Sequence, residues 1–329
     1  MIIVRTPYRI SLFGGGTDFP SWYKKNQGMV IAGSINHYSY IILKKLPEIF
    51  KYNYRIRYYK REEVKKISEI KHPVVRELIK LSNVKSSLDI THHGDLPARS
   101  GIGSSSSFTV GLIHALETFC EKMPNKRQLA LNAINLEQNI LCENVGSQDQ
   151  ITASFGGFNK IKFGGPQEFI CENIPINDEK IKTLEDWSIM IYTNKIRLSE
   201  IIETEKIKNL NKNYDLNNKI LDITKEAEKI LLSNKSKWIV EVGKLLDEYW
   251  SIKKKLSKNI SNDFFDNIYQ IGKKNGAIGG KLLGAGGGGF MLFIAPPNKH
   301  GLILNKLKKF PLIKFRFEML GSQVIHKSY

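Results

Sequence analysis

The segment that most constrains the fold is residues 97–107, Pro-Ala-Arg-Ser-Gly-Ile-Gly-Ser-Ser-Ser-Ser. An apolar run from Ser87 to Thr91 reads as a strand ahead of it, and Phe108, Leu112, Leu116 and Phe119 fall on one face of a helix behind it. Glycines let a backbone approach a ligand closely and aim several N–H groups inward. The helix N-terminus adds a partial positive charge, and the four serines offer hydroxyls to phosphate oxygens or to a hard cation. Strand, Gly/Ser loop and helix make a phosphate site in physical terms; the plain alternative is a flexible loop with serine N-caps. The chain lacks Gly-x-x-x-x-Gly-Lys-[Ser/Thr], which argues against a P-loop NTPase.

Three further segments bear on the same chemistry. Residues 281–290, Lys-Leu-Leu-Gly-Ala-Gly-Gly-Gly-Gly-Phe, formally match Gly-x-Gly-x-x-Gly. A strand-like run, Phe290 to Ala295, follows in place of a helix, and the next acidic residue is Glu318, so dinucleotide binding is rejected. Five glycines in six residues imply close approach of a backbone or a ligand, and we expect a loop that closes over the first phosphate site, with a glycine hairpin as the alternative. Near the N-terminus a short strand carrying Arg9 runs into Gly14, Gly15, Gly16, Thr17 and Asp18; taken alone, an Asp after glycines is usually a turn residue. Finally, Glu137 lies on a helix-like run and Asp149 follows Gly146 in a loop, a spacing that lets one acid reach a metal and the other a hydroxyl.

Composition narrows the setting. Lys and Arg total 50 against 32 Asp and Glu, a net charge of +18, which suits a polyanionic small substrate or nucleic acid. The excess is spread along the chain, and stretches such as Lys206 to Asn218 also fit a Lys- and Asn-rich codon bias. No run approaches the roughly 18 apolar residues of a membrane span, and Arg5 and Arg9 interrupt the N-terminal apolar stretch. Cys120, Cys142 and Cys171 are isolated in sequence and read as reduced thiols. A cytoplasmic protein without membrane contact is expected. Residues 176–295 contain no proline and read as helix-rich, with amphipathic helices over Ser199 to Lys212, Lys219 to Leu232 and Trp238 to Leu256. Strand-like runs cover Met29 to Ile35, Tyr38 to Leu43, Gly157 to Phe163 and Ser188 to Thr193. At roughly 150 residues per domain the chain divides into two, placed at 1–170 and 171–329.

In order along the chain, these segments resemble the GHMP kinases. The family's Pro-Gly-Arg-x-x-x-x-Gly-Glu-His-x-Asp is matched by Pro7-Tyr8-Arg9 and Gly14 to Asp18. Its Pro-x-x-x-Gly-Leu-Gly-Ser-Ser is matched by Pro97 to Ser105, with Ile102 for Leu, and its Lys-x-x-Gly-Ala-Gly-x-Gly-Gly by Lys281 to Gly289. The resemblance implies an α+β two-domain fold: a ribosomal protein S5 domain 2-like N-terminal domain that binds ATP, and a ferredoxin-like C-terminal domain. It implies ATP phosphates over Ser100, Gly101, Ile102, Gly103, Ser104, Ser105 and Ser106, and Mg²⁺ on Ser105 and Glu137. It further implies that Asp149 accepts or orients the proton of the attacking hydroxyl and that Arg9 stabilises the developing oxyanion, with Asp18, Thr17, Gly15, Gly16, Gly286 and Gly287 at the acceptor. Gly15 and Gly16 stand where galactokinases carry Glu-His, which speaks against galactose. The Gly-Gly-Gly-Thr-Asp form and Val145 to Gln150 look instead like the heptose kinase branch. That branch implies phosphorylation of the anomeric O1 of D-glycero-D-manno-heptose 7-phosphate to the 1,7-bisphosphate, for nucleotide-activated heptose synthesis, with Arg197 and Lys195 on the 7-phosphate. Expected partners are a sugar phosphate and ATP, not nucleic acid, in a monomer or homodimer. The alternatives are a GHMP kinase acting on fucose or a related sugar and, more remotely, an RNA-binding protein on the S5-like fold.

Overall fold

A computed structural model describes residues 1–196, 199–210 and 212–328, with the side chains of residues 199–201 outside that description. The first sheet is built on two long strands, β1 (Ile2–Phe13) and β2 (Gly28–Lys45), which pair antiparallel over most of their length. The two runs read from sequence, 29–35 and 38–43, are thus one strand. Its edge partners split it: β5 takes Ser39 to Lys45 and β6 takes Gly28 to Gly33. Along the chain the sheet continues as β3 (Tyr54–Arg57), β4 (Arg61–Val64), β5 (Leu88–Gly94), β6 (Phe158–Phe163) and β7 (Phe169–Asn173). A second, antiparallel sheet of β8 (Ser188–Tyr192), β9 (Gly279–Leu282) and β10 (Phe290–Ile294) has β10 at its centre. The last strand, β11 (Gln323–Lys327), returns to pair with β1 in the first sheet. β7 straddles residues 170 and 171, and β11 brings the C-terminus back to the first sheet, so both strands cross the division expected from length.

The helices in order are α1 (Pro20–Tyr23), α2 (Pro73–Ser82), α3 (Ser104–Phe119), α4 (Lys126–Ile134), α5 (Gln148–Phe155), α6 (Asp178–Asp186), α7 (Ser199–Lys208), α8 (Tyr214–Leu232), α9 (Trp238–Lys255), α10 (Asp263–Lys274) and α11 (His300–Lys306). α7 stops at Lys208, short of the expected Lys212, and α8 starts earlier, at Tyr214. Among the described residues no helix is long and apolar enough to cross a membrane. The three cysteines are free thiols.

Packing explains why β1 positions chemistry. Residues 6–13 are all buried, covered on one side by α3 and on the other by the helices of the second half. One apolar cluster runs from Tyr8, Ile10 and Phe13 through Trp250, Tyr249 and Leu246 of α9 to Phe290 and Phe293 of β10, so both halves share a core. Pro7 has no N–H to give the ladder, and the β1–β2 register shifts between Pro7 and Tyr8. That irregularity precedes Arg9, whose side chain enters the cleft between the halves.

Candidate active site

The cleft is organised around Arg9. Its guanidinium grips Asp149 with both arms, Nε to Oδ1 at 2.7 Å and Nη2 to Oδ2 at 2.6 Å, while Nη1 donates to Gly101 O at 2.6 Å. Two charge-assisted bonds in fork geometry fix the carboxylate in plane and in distance. The third bond ties that pair to the Gly/Ser loop, and a backbone bond from Arg9 N to Ile102 O at 3.0 Å reinforces it. Arg9's side chain is 3% exposed and Asp149's 22%, so the acid keeps an open side. Asp149 sits in the first turn of α5. Gly103 caps α3 at φ +71°, a conformation in which a side chain is strained, and a Cβ there would lie 3.2 Å from Arg9 Cγ and 3.4 Å from Asp149 Oδ2. Gly103 thus lets the helix start press against the ion pair. Ser104 is half-buried and Ser105 exposed at this N-terminus, Ser106 is buried, and Ser100 donates its hydroxyl to Pro97 O at 2.5 Å.

The loop after β1 forms the floor. Asp18 is buried and accepts from Gly16 N at 2.9 Å. A Cβ at Gly146 would overlap Asp18 Oδ2, so the Gly of Val145-Gly146 makes room for this acid. Burial, with Asp149 and Glu203 nearby, raises the Asp18 carboxyl above its ordinary range, against the bond from Gly16. Gly15 and Gly16 line the cleft with Asp18. Thr17 serves the backbone: its hydroxyl lies 2.9 Å from Gly14 O and accepts from Met29 N at 3.1 Å, fastening the loop to β2. Lys281 does similar work from β9, donating to Ser11 O and Leu12 O at 2.7 and 3.0 Å from a fully buried position.

The second glycine loop is packed tightly, largely against backbone. A Cβ at Gly286 would lie 2.6 Å from Ile260 O, one at Gly287 2.6 Å from Ile202 Cδ1, and one at Gly289 would overlap Ser100 O. Gly284 and Ala285 border the cleft. The expected closing loop is therefore a prop behind the Gly/Ser loop, joined to it by Phe290 N to Ser100 O at 3.2 Å. Arg197 lies outside the described residues, and Lys195 sits over the Phe264 ring, 5.6 Å from Nζ to centroid.

Two sequence models cover this architecture. GHMP kinases N terminal domain matches residues 67–157 and GHMP kinases C terminal matches residues 232–311. The chain belongs to the GHMP kinases. The two-domain α+β fold is that family's, and the protein is a kinase, a phosphotransferase acting on a sugar or alcohol group. It is 29% identical to D-glycero-alpha-D-manno-heptose 7-phosphate kinase of Campylobacter jejuni over 94% of this chain and 93% of that protein. It is 27% identical to mevalonate kinase of Methanocaldococcus jannaschii over 72% and 71% of the two chains. In fold it is similar to a D-glycero-D-manno-heptose 1-phosphate kinase from Bacteroides thetaiotaomicron, with a TM-score of 0.80, 22% identity and full coverage of both chains.

A phosphoryl-transferring GHMP kinase must neutralise phosphate charge, and one buried acid suits a cation. Glu137 lies on a π-helical stretch, Asn135–Ile140, after α4 and is 1% exposed. Its Oε2 accepts from Ser106 Oγ at 3.0 Å and from Gln150 Nε2, while Oε1 has no partner among the described residues. Burial pushes the carboxyl up to about 7, against the hydrogen-bonding influence of Thr109, Gln150 and Ser106. An orphaned buried carboxylate oxygen beside a hydroxyl is a fitting ligand for a hard cation. The hydroxyl on Glu137 is Ser106's; Ser105, one residue earlier, faces the cleft. Among the described residues no three His, Cys, Asp or Glu side chains cluster as a metal cage. Oxygen ligands beyond Glu137 and the serines would come from substrate phosphates.

Several cleft residues escaped the motif reading. Lys206 and Glu203 of α7, Lys253 of α9, Ser11 of β1 and Gln148 of α5 all line it. Lys206 pairs with Glu203 at 3.2 Å, and Lys253 donates to Gly284 O at 2.5 Å. Lys206 lies in the Lys- and Asn-rich stretch, where one cation has no distinguishing neighbour.

Proposed function

We propose that this kinase uses Mg·ATP to phosphorylate the anomeric O1 of D-glycero-D-manno-heptose 7-phosphate, giving the 1,7-bisphosphate, in the cytoplasm. The observation that carries the reading is the Arg9–Asp149 fork bonded to the Gly101 carbonyl. It places a carboxylate with an open side beside the N-terminus of α3, where the γ-phosphate of ATP would lie. The acceptor hydroxyl donates to Asp149, which orients it for in-line attack and takes its proton as the new O–P bond forms and the bond from the γ-phosphorus to the β,γ-bridging oxygen breaks, ADP leaving. The fixed Arg9 charge beside it lowers the energy of the developing alkoxide. Ser104 and Ser105, with the free N–H groups of the helix start, hold the phosphates. Glu137 and Ser106 would hold Mg²⁺, which supplies charge neutralisation at the β- and γ-oxygens. Positioning and charge account for most of the catalysis in phosphoryl transfer.

The acceptor assignment is supported by Gly15 and Gly16, which add no side chain of their own to the floor, and by similarity to the Campylobacter jejuni enzyme along nearly the whole chain. Three free thiols suit a reducing compartment. The test is kcat/KM for the heptose with and without its 7-phosphate, with fucose alongside. A strong preference for the phosphorylated heptose is expected. Equal values for the two heptoses, or a preference for fucose, would overturn the acceptor assignment and leave the kinase assignment standing.

A further inference from the structure

Around the floor of the cleft two buried polar atoms have no partner among the described residues. They are Ser11 Oγ, on a residue 2% exposed, and Gln148 Oε1, on a residue 9% exposed. Both side chains line the cleft that holds Arg9, Asp149 and Asp18. The two side chains meet at one place, where the point at which a Cβ would begin at Gly15 is 3.4 Å from Tyr249 Oη, 3.8 Å from Ser11 Oγ and 3.6 Å from Nε2 of the Gln148 amide that carries the unpartnered Oε1. Tyr249 Oη is already committed to Gly15 O at 3.2 Å, which holds the loop open. A buried polar group without a partner costs free energy in the empty protein, and a native fold keeps few of them. A single ligand hydroxyl satisfies both at once, donating to Gln148 Oε1, which only accepts, and accepting from the serine hydroxyl, which donates or accepts.

We infer that Ser11 and Gln148 are acceptor-specificity residues, which bind the sugar hydroxyl next to the reacting one in the space left by Gly15. Gln148 precedes Asp149 in the first turn of α5. Both side chains line the one cleft, and in this reading a sugar whose reacting hydroxyl meets Asp149 presents its neighbouring hydroxyl toward Gln148. This inference rests on the sugar-kinase reading and, for the anomeric O1 proposed above, assigns the neighbouring position to O2. Removing either side chain deletes a hydrogen bond to substrate and leaves no orphan in the protein, so the loss falls on acceptor KM and not on the fold.

The test compares wild type, Ser11→Ala and Gln148→Met on D-glycero-D-manno-heptose 7-phosphate and on its 2-deoxy analogue, with KM for ATP and Tm measured on the same preparations. Wild type is expected to favour the 2-hydroxylated sugar by about tenfold, the worth of one well-made hydrogen bond. Each variant should raise KM for that sugar about fivefold to tenfold and discriminate the two sugars less than wild type. KM for ATP and Tm should stay at wild-type values, with Tm free to rise as an orphan is removed. Variants that discriminate as wild type does, or that lose several degrees of Tm with acceptor KM unchanged, overturn the inference. If wild type ignores the heptose, the proposed acceptor fails. The same comparison then runs on whichever sugar it phosphorylates, against the analogue lacking the hydroxyl beside the reacting one. Failure to phosphorylate any sugar overturns both readings.

Discussion

The two glycine loops of this protein share a composition and differ in what their glycines avoid. At Gly103 an added methyl would press on Arg9 and Asp149, the ion pair at the centre of the cleft. At Gly286 and Gly289 it would press on the backbone of Ile260 and Ser100. Gly101 joins the two, since a Cβ there would lie 2.5 Å from Leu283 O at the start of the second loop. In the proposed reading the first loop is a ligand surface, and the second packs behind it as the wall that holds it. Glycine counts alone do not separate these roles; the atoms within reach of the missing side chain do.

The largest effect is expected at the centre of the first loop's site. Asp149→Asn should lower kcat by about a hundredfold or more, the usual worth of a positioned base, while ATP titrates as in wild type. Residual turnover above about a tenth of wild type would show that Asp149 is not the group that handles the proton. In the second loop, Gly289→Ala should act on stability. A methyl cannot coexist with the Ser100 carbonyl, and φ is +88°, so unfolding free energy should drop by about 2 kcal/mol or more. Chemical denaturation reads this, and an unchanged midpoint would mean that the loops are not packed as described.

A smaller, pH-dependent effect should come from Glu137. Its folded carboxyl titrates near 7 against an ordinary 4.5, so the native state binds more protons than the unfolded chain between those values. The ligand-free protein should therefore lose stability as pH rises from about 4.5 to about 7. Glu137→Gln should flatten that part of the Tm–pH curve and abolish any Mg²⁺-dependent rise in Tm. An identical slope in wild type and variant would remove the buried carboxyl from the account.

Much of the first loop was legible in sequence. Arg9, Gly103 and Asp149 lie 140 residues apart at the extremes; the Gly/Ser loop spoke for itself, while Arg9 and Asp149 gained their roles only from the resemblance that joins the segments. Helices α8 and α9 were legible from apolar spacing. What escaped has a physical reason in each case. Ser105 and Ser106 are adjacent at a helix start, and only the turn of the helix decides which one meets Glu137. β3 and β4 are four residues each, too short for a period-2 pattern to register. The return of β11 to β1 pairs the two ends of the chain, a contact that no local pattern encodes. Gln148 lay inside a motif already noticed, but its importance comes from having no partner, which only the packed structure reveals.

The most direct test of the contrast between the loops is an ATP titration of Gly103→Ala and Gly286→Ala side by side, at a temperature where both are folded. The account predicts that Gly103→Ala weakens Mg·ATP binding by about tenfold or more, because a methyl displaces the helix start from the phosphates. It predicts that Gly286→Ala binds Mg·ATP as wild type does and melts at a lower temperature. Normal affinity in Gly103→Ala together with lost affinity in Gly286→Ala would contradict it, and would move the nucleotide to the second loop.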